Sequence, residues 1–407
     1  MKNMLITLAI RNVFRQRIRT LMTLAAIAFG VAGLILSGGF IQDIFVQLGE
    51  AIIHSQTGHI QVFKRDFLDK GSRKPEKYLI PEPAKLAARL GELDRVSEVA
   101  ARLNFTGLLN NGRRDLAVIG EGIEPDKEAR LGSYLSITKG RQLSDSDEFG
   151  LLAGQGVAHS LGLEPGDHVT LVMNTTGGAL NSLEFEVVGI FQSFSKDFDA
   201  RAVRIPLLAA QELMLTEGAN LLVVTLDDTA ATDTVYQRVQ QSIDTTLLDV
   251  RHWRQLSDFY DKTIQLYDRQ FGVLEWIILF MVLLSVINSV NMSTFERQSE
   301  FGTLRALGNR PRDVFRLLMT ESLVLGVSGA TLGVFLGVSI ALVVSAIGIS
   351  MPPPPNANVG YTAYVRIVPA IVGKAWLIGF FATLLAAVLP ARRTTRIPVV
   401  DALRQSV

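Results

Sequence analysis

From Thr20 to Gln42 the chain carries no charged residue, a length able to cross a hydrocarbon layer, which takes roughly 20 apolar residues in an α-helix. A backbone in lipid must satisfy its own N–H and C=O groups, so such a run spans as a helix. Three further apolar runs follow. One extends from Trp276 to Phe295, and another from near Leu317 to about Ile347, with Glu321 close to its first turn. The last, Ala375 to Pro390, is short and is expected to begin ahead of Lys374, a residue able to snorkel to the interface. Charged residues make up only 19% of the chain, against about a quarter in soluble proteins. That deficit favours membrane segments over one large soluble core.

Charge sets the expected orientation. Lys2, Arg11, Arg15, Arg17 and Arg19 precede the first acidic residue, Asp43. Arg297, Arg305, Arg310, Arg312 and Arg316 crowd the short segment between the second and third runs, and Arg392, Arg393, Arg396 and Arg404 follow the fourth. Basic short loops stay cytoplasmic, which puts both termini and that segment inside, with about Ile44–Gln270 and Met351–Arg366 outside. The first run exceeds the roughly 7–15 residues of a signal-peptide core, so it reads as an uncleaved anchor. Ahead of it, Arg11, Arg15 and Arg19 form one stripe, while Leu5, Ala9, Ile10, Val13, Phe14 and Ile18 fill the other side. This pattern predicts an amphipathic helix in the cytoplasmic interface, its cations near lipid phosphates; a cytosolic helix packed on a partner is the alternative.

The outer region reads as α+β. His59–Phe63 alternates as a strand, Pro83–Leu93 has a helical face, and Asn111-Gly112 marks a hairpin ending in Leu116–Gly120. Gly150–Leu161 is expected to be helical, Pro165-Gly166-Asp167 to turn into the strand His168–Met173, and Leu183–Phe191 and Val223–Leu226 to be strands. Ala230–Ile243 reads as a helix, and Asp258–Gln270 as a stalk continuous with the second run. The chain has no cysteine, which excludes disulfides, thiolate zinc sites and cysteine nucleophiles. His54, His59, His159 and His168 match no metal-site spacing and are expected to be ordinary surface histidines. Ser160 and Ser182 lack the G-x-S-x-G context of a nucleophile elbow.

No G-x-x-x-x-G-K-[ST] phosphate loop occurs, so energy for any work is expected to arrive by contact. Glu296–Leu307 predicts a short cytoplasmic helix stopped by Gly308-Asn309, with Pro311 opening the next helix. Phe301, Leu304 and Leu307 make an apolar edge that nothing obvious in the chain covers. A docking surface and an interfacial helix lying on lipid both fit that pattern. Gly326, Gly329, Gly333 and Gly337 share one face of the third run and permit close helix approach, either to a partner subunit or to a span of the same chain. Asn288 and Asn291 would bond across helices or lie near an interface, and the stiff Met351-Pro352-Pro353-Pro354-Pro355-Asn356 segment reads as a spacer or the border of a lateral entrance.

Glu300-Phe301-Gly302-Thr303-Leu304-Arg305-Ala306-Leu307-Gly308 closely resembles the coupling-helix motif of the MacB/LolC/LolE/FtsX-like ABC permeases. The lead Arg11–Thr20, the exit Pro390-Ala391-Arg392-Arg393 and the run Pro398–Leu403 are similar to the same family, as are Gly140–Leu143, Leu161–Leu163 and Val187–Ile190 in the outer region. The resemblance implies a mechanotransmission permease, of LolC/LolE size and without a fused ATPase domain, in a bacterial inner membrane. Its partners would be a dimer of cytoplasmic ATPase subunits, which would bind ATP and Mg, and a second permease subunit, same or related. Membrane lipids and a periplasmic carrier or adaptor complete the expected partners, with no nucleic acid and no cofactor in this chain. ATPase coupling would fall to Glu300, Phe301, Gly302, Leu304, Arg305, Ala306, Leu307 and Gly308. Extraction or release of lipoproteins or other amphiphiles is the first expectation; MacB-like efflux of peptides or drugs and FtsX-like actuation of a cell-wall hydrolase stay open.

The expected fold is an α-helical membrane protein with four transmembrane helices plus a large α+β periplasmic domain inserted between spans one and two. Its divisions are an interfacial helix at 1–19, a first span at 20–45, a MacB-like core domain at 46–270 and a second span at 271–295. A coupling-helix loop at 296–316, a third span at 317–348, a Pro-rich loop at 349–370, a fourth span at 371–391 and a cytoplasmic tail at 392–407 complete the chain.

Overall fold

The computed structural model describes residues 11–12, 15, 17–71, 75–131, 135–193, 195–352 and 360–399, the side chains of 258 and 259 excepted. The expected apolar face of the lead before Arg17 (Leu5, Ala9, Ile10, Val13, Phe14), the prolines 353–355 and the tail from Val400 lie outside those residues. Two compact units emerge, one gathering the described residues up to Phe45, from Thr263 to Ser350 and from Thr362 onward. The other takes Val46–Lys262 with the described residues of Met351–Tyr361.

Among the described residues, four helices are long and apolar enough to cross a membrane. Span one is Arg17–Ile52, span two Asp258–Glu296, span three Pro311–Ile347 and span four Pro369–Arg396. Span four does begin ahead of Lys374, whose ammonium pairs with Glu275 of span two at 2.8 Å. Apolar residues on the outer faces, such as Phe280, Leu284, Phe335 and Leu385, stay exposed, as suits a surface made for lipid. The inner faces close on Ile27, Val31, Ile35, Val282, Val286, Ala330, Ala382 and Ala386.

Small residues make that closure tight. A Cβ on Gly333 would stand 2.7 Å from Val31 Cβ and 2.8 Å from the Ala28 carbonyl oxygen, and one on Gly329 2.9 Å from Ile27 Cβ. Gly337 approaches Ala32 and Ile35, while Gly326 approaches Thr383 and Phe380. The glycine face of span three thus packs on spans one and four of its own chain. Near the end of span one the buried Asp43 carboxylate accepts the Tyr364 N–H at 2.9 Å and Arg366 Nε at 2.8 Å.

The second unit is built on a mixed sheet. Its strands are β1 (Ile60–Lys64), β2 (Val96–Asn110), β3 (Asp115–Ile123), β4 (Ser136–Gly140) and β5 (Gly150–Gly154). They continue with β6 (His168–Asn174), β7 (Leu180–Gln192), β8 (Ala202–Pro206), β9 (Leu221–Leu226) and β10 (Leu248–His252). The order runs β10-β1-β9-β2-β3-β8-β5-β7-β4, with β6 pairing β2 and β7. Among the described residues, β3–β8 and β5–β7 pair in parallel and the other pairs of the sheet are antiparallel. Helices Pro83–Gly91 and Thr232–Ser242 cover one end through Leu90, Val235 and Val239 against Ile60, Val62, Leu222 and Val224. Helices Gln155–Leu161 and Leu207–Met214 cover the other through Val157 and Leu213 against Leu103, Phe105, Leu151 and Phe185.

The hairpin at Asn111-Gly112 forms, with β2 and β3 in register from Asn110↔Asp115 to Arg102↔Ile123. Its loop is longer than the dipeptide alone suggests: Asn111 Oδ1 accepts N–H groups from Arg113 and Arg114 at 3.0 and 2.8 Å. The helix expected over Gly150–Leu161 is corrected, because its first five residues are β5. A run of Leu151, Leu152 and Ala153 buried between two neighbouring strands has no two-residue alternation, so periodicity cannot tell it from a helix.

His59 is also corrected, from surface to core, with 1% of its surface exposed. Its Nδ1 accepts the Leu226 N–H at 3.2 Å, which leaves Nε2–H to donate to Thr229 Oγ1 at 3.0 Å. Burial, then the nearby His54, push its pKa down to about 4. His159 and His168 are exposed.

Two outcomes follow from this packing. Gly333→Val should lower the stability of the detergent-solubilised chain by about 1–3 kcal/mol through overpacking, read as a fall in its thermal midpoint; an unchanged midpoint would mean spans one and three are not in contact. His59 stays neutral when folded but takes a proton near pH 6.5 when unfolded. Its contribution is therefore full above pH 6.5 and lost as pH falls toward 4, on the order of 2–3 kcal/mol. His59→Gln should flatten the slope of melting temperature against pH across that window.

Candidate functional site

Span two stops at Glu296, and Arg297 leaves helical geometry at φ −101°, ψ 15° before a connecting helix takes over at Gln298–Ala306. That helix ends because Gly308 adopts φ +97°, a left-handed conformation open to a residue without Cβ. Gly308 N–H donates to the Arg305 carbonyl at 3.1 Å and Asn309 N–H to that of Leu304 at 3.1 Å, which satisfies carbonyls the helix end would orphan. Pro311 then opens span three, with Asp313 Oδ2 accepting the Arg310 N–H at 3.1 Å.

The apolar edge of this helix is split. Phe301 is 3% exposed and packs with Val314, Leu318 and Ala391, while Leu304 lies half-covered beside it. The expectation that nothing in the chain covers Phe301 is thus overturned. Leu307 is 78% exposed. Steps of three residues drift by roughly 60° around a helix, so Phe301 faces the spans, Leu304 lies at the margin and Leu307 points away. Gly302 is buried, whereas Thr303, Ala306 and Gly308 are exposed with Leu307.

Charges hold the base of the helix. Arg297 Nη1 bonds Glu321 Oε2 of span three at 2.8 Å, and its Nε bonds Glu300 Oε2 at 3.1 Å, with the guanidinium 5.0 Å above the Phe301 ring. Burial would lower the Arg297 pKa, but Glu321 and then Glu300 raise it, so the guanidinium stays charged. Asn12 Nδ2 donates to the other Glu321 oxygen at 2.7 Å. Arg15 bonds Glu300 at 3.0 Å and Arg19 bonds Glu296, so two cations expected near lipid phosphates sit on acids of the chain. Arg305 donates to the Ile397 carbonyl. On the other side Asn288 and Asn291 are exposed and border, with Gln298, Arg393 and Thr394, a cavity of about 330 Å³.

Of the residues singled out in the sequence, Glu300, Phe301, Gly302 and Arg305 form the inward base of the helix, and Ala306, Leu307 and Gly308 its outward tip. Arg297, Glu321 and Asn12 escaped the sequence reading as a set, being far apart in the chain. The one available signal was a carboxylate, Glu321, inside an apolar run. Among the described residues no group of three or more His, Asp or Glu side chains could hold a metal ion.

Comparison with known families adds two matches that together take in most of the chain. Residues 20–242 match the MacB-like periplasmic core domain and residues 272–399 the FtsX-like permease C-terminal region. The chain belongs to this family of ABC transporter permeases. An ABC transporter permease of Methanocaldococcus jannaschii is 23% identical, covering 98% of this chain and 97% of its own. The lipoprotein-releasing system transmembrane protein LolC of Neisseria meningitidis is 26% identical, covering 97% and 95%. The macrolide export ATP-binding/permease protein MacB of Sodalis glossinidius is 25% identical over 97% of this permease, which matches 60% of that longer protein. The periplasmic region of MacB from Actinobacillus actinomycetemcomitans aligns at a TM-score of 0.38 and 14% identity, covering 52% of this permease and 95% of that region.

The split edge of the connecting helix has a measurable consequence. Phe301→Ala, which empties a packed site, should cost about 3–5 kcal/mol and lower the thermal midpoint. Leu307→Asp should stay within about 0.5 kcal/mol of the parent. Equal midpoints for the two variants would contradict the orientation described.

Proposed function

We propose that this permease converts the closure of a separate cytoplasmic ATPase dimer into movement of its soluble unit, with the connecting helix as the ATPase contact. The observation that carries this reading is the exposed tip at Thr303, Ala306, Leu307 and Gly308, set on a base that cannot swing. Arg297, Glu300 and Glu321 anchor the helix by charge, and Phe301 anchors it by packing. A push on Leu307 therefore loads spans two and three rather than bending a loose loop. Span two carries the chain across the division between the units at Lys262–Thr263 within a single helix, as span one does at Phe45–Val46.

The basic lead, the basic connecting segment and the basic end of span four support a cytoplasmic side of the bacterial inner membrane for the connecting helix and both termini, with the β-rich unit in the periplasm. ATP and Mg bind in the ATPase partner, and a second permease subunit, the same chain or a related one, completes the pair. The substrate class favoured is a lipoprotein or similar amphiphile taken from the outer leaflet and passed to a periplasmic carrier. A match to LolC over nearly the full length of both chains supports that reading. The exposed apolar flanks of the spans offer lipid-facing surface for such a cargo.

Affinity-purified permease should bring ATP hydrolysis with it, and Leu307→Asp should reduce that activity at least tenfold while the chain keeps its melting temperature. Hydrolysis that survives this change would remove the connecting helix from the contact. Mass spectrometry of the purified complex should find acylated protein; an adaptor protein in its place would favour efflux, and a cell-wall hydrolase would favour signalling.

A further inference from the structure

Inside the β-rich unit, four charged side chains are gathered where core residues would be expected. Arg102 on β2 and Arg204 on β8 are 4% and 2% exposed, and the acids facing them are Glu121 on β3 and Glu128 in the helix Pro125–Leu131. Arg102 holds Glu128 in a fork through Nε and through Nη2, the latter at 2.8 Å. Arg204 Nε bonds Glu121 Oε2 at 2.9 Å, and cross-contacts of 3.9 Å (Arg102 to Glu121) and 4.0 Å (Arg204 to Glu128) close the square. Burial pushes the Glu128 carboxyl up, yet Arg102 and Arg204 outweigh it and hold that carboxyl below its usual range.

Two charges of each sign in a core are costly to desolvate, and apolar residues of the same volume would serve packing at least as well. The geometry points to another use. Span one ends at Ile52 and is followed by one π-helical turn, Ile53–Thr57, before Gly58 at φ +63° turns the chain into β1. The last carbonyls of a helix have no partner within it and carry the negative end of its dipole. Here Arg102 Nη1 donates to the Gln56 carbonyl and Arg204 Nη2 to the Ser55 carbonyl at 3.2 Å. Each guanidinium therefore does two things at once: it grips a carboxylate fixed in the sheet layer and a carbonyl at the end of the helix. A lysine ammonium, a point charge on a flexible stem, cannot hold both in a fixed fork.

We propose that Arg102 and Arg204 are positioning residues that lock the end of span one to the sheet, so that helix and sheet move as one piece. Glu121 and Glu128 hold the two guanidinium groups in place. The lock itself stands on the geometry above; its use in handing on ATP-driven motion rests on the coupling reading of the preceding subsection.

The chain has no cysteine, so nitroxide labels go only where they are put. In the full-length chain in lipid nanodiscs, Val46→Cys with Arg113→Cys reports helix against sheet, and Arg113→Cys with Gln240→Cys reports the sheet layer alone. By pulsed electron spin resonance both distances should be narrow in the parent. Arg204→Lys should at least double the width of the first distribution and leave the second unchanged, and so should the charge-balanced pair Arg102→Met, Glu128→Gln. Unchanged widths in both variants would overturn the proposal. Widening of both distances in both variants would overturn it too, since the cluster would then only hold the sheet together. With the copurified ATPase present, ATP and vanadate should leave the Val46–Arg113 distance fixed in the parent and shift it in the variants, while hydrolysis stays within about twofold. A parent complex that hydrolyses no ATP would sink the coupling reading, and the nucleotide-free widths would still decide the lock.

Discussion

Hydrocarbon offers no hydrogen bonds, and that one constraint shapes the rest of this molecule. It makes each apolar run a helix, because every backbone amide must find its carbonyl within the segment. It also removes the hydrophobic drive that would press helices together in water, so their cohesion has to come from close contact. The glycine face of span three supplies that contact. Gly329 and Gly333 bring its backbone against Ile27, Ala28 and Val31 of span one, at separations where any side chain would clash. Rigid packing of this sort is what a permease needs if force applied at one end of a helix is to arrive at the other.

Three of the buried charge clusters lie toward the ends of helices. Glu321, in the first third of span three, accepts from Arg297 and Asn12, Asp43 toward the end of span one accepts from Tyr364 and Arg366, and Arg102 and Arg204 donate to the carbonyls that follow span one. At each point a charge is held by two or more partners, which fixes direction as well as distance. Apolar contacts could supply similar stability but would let a helix end slide or rotate. The connecting helix shows both kinds of anchor: Phe301 packs, Arg297 orients, and Leu307 is left free for contact.

Much of this was legible beforehand. The presence of four apolar helices, the Gly308–Pro311 turn, the Asn111-Gly112 hairpin and the strand at Ile60–Lys64 follow from local rules about apolar runs, glycine and alternation. The errors have a common origin. Gly150–Gly154 is a strand buried on both sides, so its sequence lacks the alternation that would mark it. His59 is a polar residue whose burial depends on Thr229 and the Leu226 amide, more than 160 positions away. Phe301 reads as uncovered in the sequence because its cover, Val314, Leu318 and Ala391, comes from two other helices.

The sequence by itself determined that this chain has four membrane helices, a β-rich unit between the first two and a short helix between the second and third, because period, length and charge are local properties. Only the tertiary structure decided which face of that short helix is covered, that the glycine face of span three meets its own subunit, and that Arg102, Glu121, Glu128 and Arg204 form one cluster. Those outcomes depend on which distant residues are brought within a few ångströms of one another. No window of sequence contains that information, since it is set by how helices and strands pack once they have formed.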